Sequence, residues 1–419
     1  MKALVIGGGI GGFAAALSLH EWGIKTEVFE QAPEIRELGV GINVLPHAVQ
    51  ALADLGLLDA LDATGVRTGE LIYCNRFGQR IWTEPRGLEA GYPYPQFSIH
   101  RGHLQGLLYR AARERIGSGR IHLGHRLVGF EQDDEGVTAR FAADSGAPLP
   151  SWRGDVLVGA DGIHAATRAQ LYPEEGPPKW NGHMLWRGAV EGEPFLYGRT
   201  MVIAGDLREK VVLYPIAREA AGHGRALINW AVWVKLGDGL TPPPRREDWS
   251  RPGRLEDVLP HFARWRFDWF DVPGLMRRTP LFYEYPMCDR DPLGRWSFGR
   301  VTLLGDAAHP MYPVGSNGAA QAILDGRALA RALAGGGPVE EALRAYEAER
   351  LPATSQIVLS NRRMGPEQVI DIVAERAPDG FARLEDVISQ DELLGIARRY
   401  RRVAGFEPHA LQGRSGATR

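Results

Sequence analysis

The chain has 419 residues, 44% of them hydrophobic and 24% charged, with a formal net charge of -2. That is enough for one large domain plus a smaller one with well-filled cores, and it lacks the basic excess of a nucleic-acid-binding surface. Cys74 and Cys288 are too few for a disulfide framework or a four-thiolate metal site, so two reduced thiols in a cytoplasmic protein are expected.

The N-terminal MKALVIGGGIGG has too few apolar residues for a signal peptide, and no run in the chain approaches the ~20 apolar residues that span a bilayer. Neither a nucleic acid nor a membrane is expected as a partner. Ala3 to Ile6 reads as a strand, followed by G-x-G-x-x-G at Gly7, Gly9 and Gly12. A helical pattern carries Phe13, Leu17 and Leu19 and ends near Gly23; Lys25 to Phe29 is a second strand, closed by Glu30. Strand, glycines, helix, strand and acid in that order form a dinucleotide-binding βαβ unit. Gly7 permits the turn, Gly9 lets the backbone approach a pyrophosphate and Gly12 lets helix pack on strand. The helix N-terminus faces the phosphates, and Glu30 suits a ribose diol and repels a 2′-phosphate.

Further along, DVLVGADGIHAATR (155 to 168) reads as a strand ending in a tight turn with Asp161, then a helix with Arg168. HMLWRGAV, TMVIA, VVLYPIA and ALINWAVWV, between residues 183 and 234, are β-rich. In the last run Ile228, Trp230, Val232 and Val234 alternate with Leu227, Asn229, Ala231 and Trp233, which predicts an antiparallel sheet with one face covered. TPPPRR (241 to 246) reads as a surface loop, and Trp265, Trp269 and Phe270 as helix packing in preference to a pocket wall. VTLLGDAAHPMYPVGSNGAAQAILDG (301 to 326) repeats the strand, turn, loop and helix order of the N-terminus, with Asp306 at the strand end. There is no second G-x-G-x-x-G, so this second cradle is expected to hold the far end of the same ligand. The tail from 365 alternates helical patterns with Pro378, Gly380 and Gly405; a subunit contact in a homodimer and a tail packed back on its own chain both fit it.

With those three motifs in order, the chain resembles the single-component flavin-dependent aromatic hydroxylases of the para-hydroxybenzoate and salicylate hydroxylase type. Gly7 to Gly12 with Glu30 matches the family's ADP fingerprint, Gly159-Ala160-Asp161-Gly162 with Arg168 its second motif, and Gly305-Asp306-Ala307-Ala308-His309 with Pro313 and Gly315 its third. LGVGIN (38 to 43) and YPMCDRDPL (285 to 293) are closest to the branch that oxidises phenazine carboxylates. The resemblance implies an α/β fold, α+β overall: a discontinuous Rossmann-like FAD-binding domain (1-73, 97-178, 284-362), an inserted antiparallel substrate sheet (74-96, 179-283) and a helical C-terminal segment (363-419).

It also implies a cofactor-binding set of Gly7, Gly9, Ile10, Gly11, Gly12, Glu30, Gln31, Gly41, Arg101, Gln105, Asp161, Asp306, Pro313, Gly315, Ser316, Asn317 and Gly318. FAD, NADH or NADPH as transient co-substrate, and O2 are the expected cofactors, with transfer of OH through a C4a-hydroperoxyflavin to a phenazine, pyridine or phenolic carboxylate, with or without decarboxylation. Tyr214, Arg187 and Pro313 are the catalytic candidates, Arg187 as a carboxylate anchor or as a structural ion pair. No metal is expected. Modification of a non-carboxylate natural product, for example by epoxidation, is the alternative; an FAD-linked dehydrogenase is a weaker one, because no covalent attachment residue or C-x4-C pair is visible.

Overall fold

The computed structural model describes residues 1-36, 39-217, 224-265 and 267-407. Leu38 of LGVGIN and the terminal GRSGATR lie outside the described residues. A five-stranded parallel sheet runs in the order Val301–Leu303, Val156–Gly159, Lys2–Ile6, Lys25–Glu30 and Ile121–Leu123. Its central strands Lys2–Ile6 and Val156–Gly159 are short and nearly continuous in apolar residues, as a sheet covered on both faces requires. One face carries the helices Ile10–Glu21, Arg101–Arg115 and Gly318–Ala334. The other is covered by a three-stranded antiparallel sheet (126–132, 137–142, 148–154), where Leu127, Phe130, Val137 and Phe141 pack on Leu4, Ile6 and Phe29.

All three sequence motifs sit at carboxyl ends of neighbouring strands in this sheet. Lys2–Ile6 delivers Gly7, Val156–Gly159 delivers Asp161 and Val301–Leu303 delivers Asp306. The register Ile6↔Gly159 and Gly159↔Leu303 aligns the three turns at one crevice, the place where open α/β sheets bind ligands.

A seven-stranded sheet stands against that crevice, in the order Phe282–Asp289, Lys179–Gly192, Ala226–Lys235, Glu209–Ala217, Thr200–Gly205, Glu70–Cys74 and Arg80–Pro85. Every pairing is antiparallel except Thr200–Gly205 with Glu70–Cys74. The sheet therefore claims Glu70–Cys74 as well as the later segment. The alternation in ALINWAVWV is present, but both faces are covered, not one. Ile228, Trp230, Val232 and Val234 pack under the helices Leu255–Phe262 and Val272–Arg278, while Asn229, Ala231 and Trp233 are equally buried on the other side. That second face meets the crevice and the C-terminal helices, contacts made by segments remote in sequence. Trp265, Trp269 and Phe270 belong to the first face's core, with Trp265 and Phe262 ring centroids 5.1 Å apart.

The tail packs back on its own chain. Val369, Ile370 and Val373 of Gln368–Arg376 sit on Leu71, Tyr73 and Ile203 of the sheet, and Tyr400 of Gln390–Ala404 reaches the loop at 314–317. Cys74 and Cys288 are buried free thiols; burial pushes Cys74 up to about 12. Among the described residues no helix is long and apolar enough to cross a membrane.

The two cradle helices cross through small residues: a side chain on Gly326 would fall 2.8 Å from the backbone of Ala15. Gly326→Ala is expected to lower stability by about 1–3 kcal/mol through overpacking, read as a lower denaturation midpoint with an unchanged slope in urea.

Candidate functional site

Between the carboxyl ends of the parallel strands and the large sheet lies a cavity of about 330 Å³, in the size range of small-molecule sites. One wall is backbone: Gly9 to Gly11, Gly39 to Gly41, Ala160, Gly162, Gly305, Ser316 and Gly318. The opposite wall is side chain: Leu185, Arg187, Tyr214, Tyr283, Tyr285 and Met287 from the sheet, with Trp249 from the loop beyond it. Tyr283, Tyr285 and Met287 alternate along one strand, a period-two signal that sequence reading passed over.

Two helix N-termini open on this cavity. Ile10–Glu21 begins at Gly9, and Gly318–Ala334 begins at Asn317; neither has a side-chain cap. Uncapped N-termini present free N–H donors and the positive end of the helix dipole. Gly9 has nothing within 4 Å where a Cβ would stand, so its backbone faces open space. At Gly7, with φ +108°, a Cβ would collide with Ala160 O, and at Gly12 with Gly7 O; those two glycines shape the turn from inside and do not line the cavity.

Of the other candidate residues, Glu30 accepts from Gly8 N (2.7 Å) and Ala32 N (2.8 Å), and Gln105 donates to Gly8 O at 2.8 Å. Both brace the glycine turn from behind, and Gln31 is exposed on the outer side. Arg101 and Asp306 are surface-accessible, yet burial dominates the titration of each: it lowers Arg101, with Asp306 opposing, and raises Asp306, with His309 and Arg101 opposing. The accessible surface of both opens into the cavity they line. Asp161 accepts from Thr167 N (3.0 Å) and Thr167 Oγ1 (3.2 Å). Burial pushes it up to about 6 against those bonds, and its other oxygen is buried without a partner.

Arg168 is 1% exposed and spent on the protein itself: it donates to Ala307 O and Ala308 O, both at 3.0 Å, and pairs with Glu175. It ties the second motif to the third. The third motif has an anchor that sequence reading missed. Asp325, fully buried, accepts from Gly305 N (3.1 Å), His309 Nε2 (2.6 Å) and Arg350 Nε (2.7 Å). It lay in plain view in AILDG, but only the fold brings Arg350 to it.

Gly41 is where the two walls touch. Asn229 Oδ1 accepts from Gly41 N at 2.7 Å and Arg187 Nη2 donates to Gly41 O at 2.5 Å. Arg187 also donates to Tyr285 OH at 3.0 Å, so the structural ion pair weighed for it is replaced by hydrogen bonds to neutral acceptors. Its Nε is buried without a partner. Tyr214 is buried, which raises its pKa against the pull of Arg187, so its phenol stays protonated. Pro313 lines the cavity at the second cradle. Gly315 and Asn317 do not: at Gly315 (φ +66°) a Cβ would strike the Tyr400 hydroxyl, so its glycine requirement comes from the tail rather than from a ligand's close approach.

A long anionic ligand fits this frame. Two positive helix ends, an acid at the second cradle's strand end and paired glycine turns match the diphosphate, sugar and ring portions of FAD, whereas Asp161, expected among the cofactor-binding residues, is not among those lining the cavity. No cluster of three or more metal-ligating side chains occurs among the described residues.

The model of the FAD binding domain family matches residues 1–183 and 289–360. The chain is 49% identical to Phenazine 1,6-dicarboxylic acid hydroxylase PhzS of Lysobacter antibioticus over 363 residues, 86% of this chain and 88% of that one. It is 31% identical to 3-hydroxybenzoate 6-hydroxylase of Polaromonas naphthalenivorans (strain CJ2), over 87% of each chain. The crystal structure of Klebsiella pneumoniae HpxO complexed with FAD and uric acid superposes with a TM-score of 0.74 at 25% identity, covering 98% of this chain and 97% of that one.

The Asp325 carboxyl is held down at about 2, from an ordinary 3.8, because His309 and Arg350 outweigh its burial. A depressed carboxylate adds stability above its unfolded pKa and loses it as pH falls through the folded one. Asp325→Asn is therefore expected to cost about 3–5 kcal/mol near neutrality, with the deficit shrinking as the pH falls from 3.8 towards 2; thermal melts of both proteins across that range read it directly.

Proposed function

This chain belongs to the FAD binding domain family and is an FAD-dependent aromatic monooxygenase that takes electrons from NAD(P)H; from that premise we propose that its substrate is a planar, carboxylate-bearing N-heteroaromatic of the phenazine type. The observation that carries the proposal is the side-chain wall of the cavity: aromatic rings from the sheet and Trp249 flank the cation Arg187, and among the described residues that wall carries no carboxylate. The 49% identity to a protein named for phenazine 1,6-dicarboxylic acid supports the same choice.

Bound FAD supplies the oxygen chemistry, and overall NAD(P)H, a proton, O2 and the aromatic give NAD(P)+, water and the hydroxylated ring. The chain's own residues bind, orient and exclude water. Gly9 to Gly11 would hold the ADP half, with Gly7, Gly12, Glu30 and Gln105 shaping the turn. Arg101, Asp306, Pro313, Ser316 and Gly318 would hold the ribityl and ring half. Arg187 keeps donors free for a substrate carboxylate after serving Gly41, Tyr285 and Tyr214, since a guanidinium has five N–H groups. Tyr214, neutral, orients substrate by a hydrogen bond and does not act as a base.

Among the described residues Asp306 is the one carboxylate in the lining, and it sits on the cofactor wall. A substrate activated by its own ring nitrogens is consistent with that, and a phenol needing deprotonation is less so. We place the enzyme in the cytoplasm, where NAD(P)H is regenerated.

Purified protein with FAD, challenged with phenazine, pyridine and salicylate-type carboxylates, is expected to show substrate-stimulated NAD(P)H oxidation and a product one oxygen heavier with a phenazine acid. A mass deficit of CO2 in the product marks decarboxylation. NAD(P)H oxidation that yields only peroxide with every aromatic defeats hydroxylation. Trp249→Ala is expected to raise KM roughly 3–10-fold for a three-ring acid and less for a one-ring acid; Arg187→Met is expected to raise it about 10–100-fold for the acid and little for the uncharged parent ring.

A further inference from the structure

The loop from Tyr312 to Asn317 forms the second cradle, and its backbone polar groups are fixed from behind by the C-terminal segment. Asn361 Nδ2 donates to Tyr312 O at 3.1 Å, Tyr400 OH to Val314 O at 3.2 Å, and Glu367 Oε1 accepts from Gly315 N at 3.3 Å. Glu367 is itself buried and paired with Lys210, which lies on the same sheet strand as Tyr214. The loop needs such support because two consecutive residues, Gly315 (φ +66°) and Ser316 (φ +59°), are left-handed, and that conformation costs a serine free energy unless its surroundings impose it.

The Asn317 side chain completes the picture. Asparagine is among the residues best suited to cap the helix it precedes, yet here its amide turns away. Asn317 Nδ2 donates to Tyr400 OH at 2.8 Å and to Gly315 O at 3.1 Å, while its Oδ1 accepts from Gln321 Nε2 at 3.2 Å. The Tyr400 hydroxyl also reaches Asn361 Oδ1 at 3.0 Å, and the ring fills the space a Cβ on Gly315 would need. The helix Gly318–Ala334 is thereby left with an open N-terminus on the cavity.

We propose that Tyr400 and Glu367 are positioning residues for the flavin: they lock the loop in its left-handed form and hold Asn317 off the helix end, so that the free N–H groups there face the flavin ring. This rests on the assignment of the loop to the ring half of FAD. The C-terminal helix is thus a working part of the cofactor site, although no residue of it lines the cavity.

The test uses the full chain with its FAD removed and then titrated back. Tyr400→Phe keeps the ring and loses the hydroxyl. Expected results are faster amide hydrogen exchange at 314–319 in the FAD-free protein and FAD affinity weaker by about tenfold. With FAD restored, less hydroxylated product per NAD(P)H is expected at a nearly unchanged KM for the aromatic. Glu367→Gln keeps an acceptor for Gly315 N and is expected to fall between wild type and Tyr400→Phe. Val373→Ala, a core truncation on the neighbouring helix, is expected to lower Tm with none of the flavin effects. If Tyr400→Phe lowers Tm as Val373→Ala does but leaves loop exchange and FAD affinity at wild-type values, Tyr400 only packs the tail and the proposal is overturned. A wild-type protein that binds FAD but hydroxylates no aromatic defeats the assigned function, and exchange and affinity still decide this inference.

Discussion

Two open helix ends facing one cavity are the constraint on which the rest of the structure depends. A helix N-terminus leaves N–H groups without partners, and chains ordinarily satisfy them with a Ser, Thr, Asp or Asn cap worth about 1 kcal/mol. Here both ends forgo it, one through Gly9 and the other through an Asn317 turned the wrong way. Leaving donors free in a cleft is favourable only where an anionic ligand takes them, and FAD offers charge or polarity at both ends of its length. The glycine turn, the braced Glu30, the Asp325 knot and the Tyr400 buttress all hold those two ends at a fixed separation and aim.

The separation in sequence follows from the separation in space. The strands feeding the two cradles, Lys2–Ile6 and Val301–Leu303, have one strand between them in the sheet. The chain between them builds the seven-stranded sheet, which can therefore stand against the cleft from the far side. Gly41 marks the contact. Both its backbone polar groups are taken by sheet side chains, Asn229 and Arg187, so the glycine wall and the sheet wall meet through direct hydrogen bonds. Arg187 serves as this clamp and also lines the cavity from the sheet side.

Local pattern carried much of this. Period-two alternation marked the sheet strands, and the three strand-end turns carried the nucleotide fold because each is encoded within about a dozen residues: an apolar run, glycines where φ turns positive, an acid at the strand end. What stayed hidden was chemistry assembled from distant segments. Asp325 looks like an ordinary helix residue until Arg350 and His309 surround it. Arg168, matched to a ligand motif, is consumed by the protein's own carbonyls. Gly315, matched to the family's third motif, is room for Tyr400. The second covered face of the sheet could not be seen in ALINWAVWV, because burial on that side is supplied by a tail more than a hundred residues later.

The sequence by itself determined that the chain builds a dinucleotide cradle, where its strands end and which residue types stand at those ends, since backbone turns and short-range patterns are local properties. Only the tertiary structure decided that the two cradles open on one cavity, that Arg187 bonds to a backbone carbonyl and a phenol instead of a carboxylate, and that the C-terminal helix packs on a loop eighty residues before it. Those outcomes depend on which side chains meet in space, and hydrogen bonds between segments that far apart leave no period or spacing in the chain to be read.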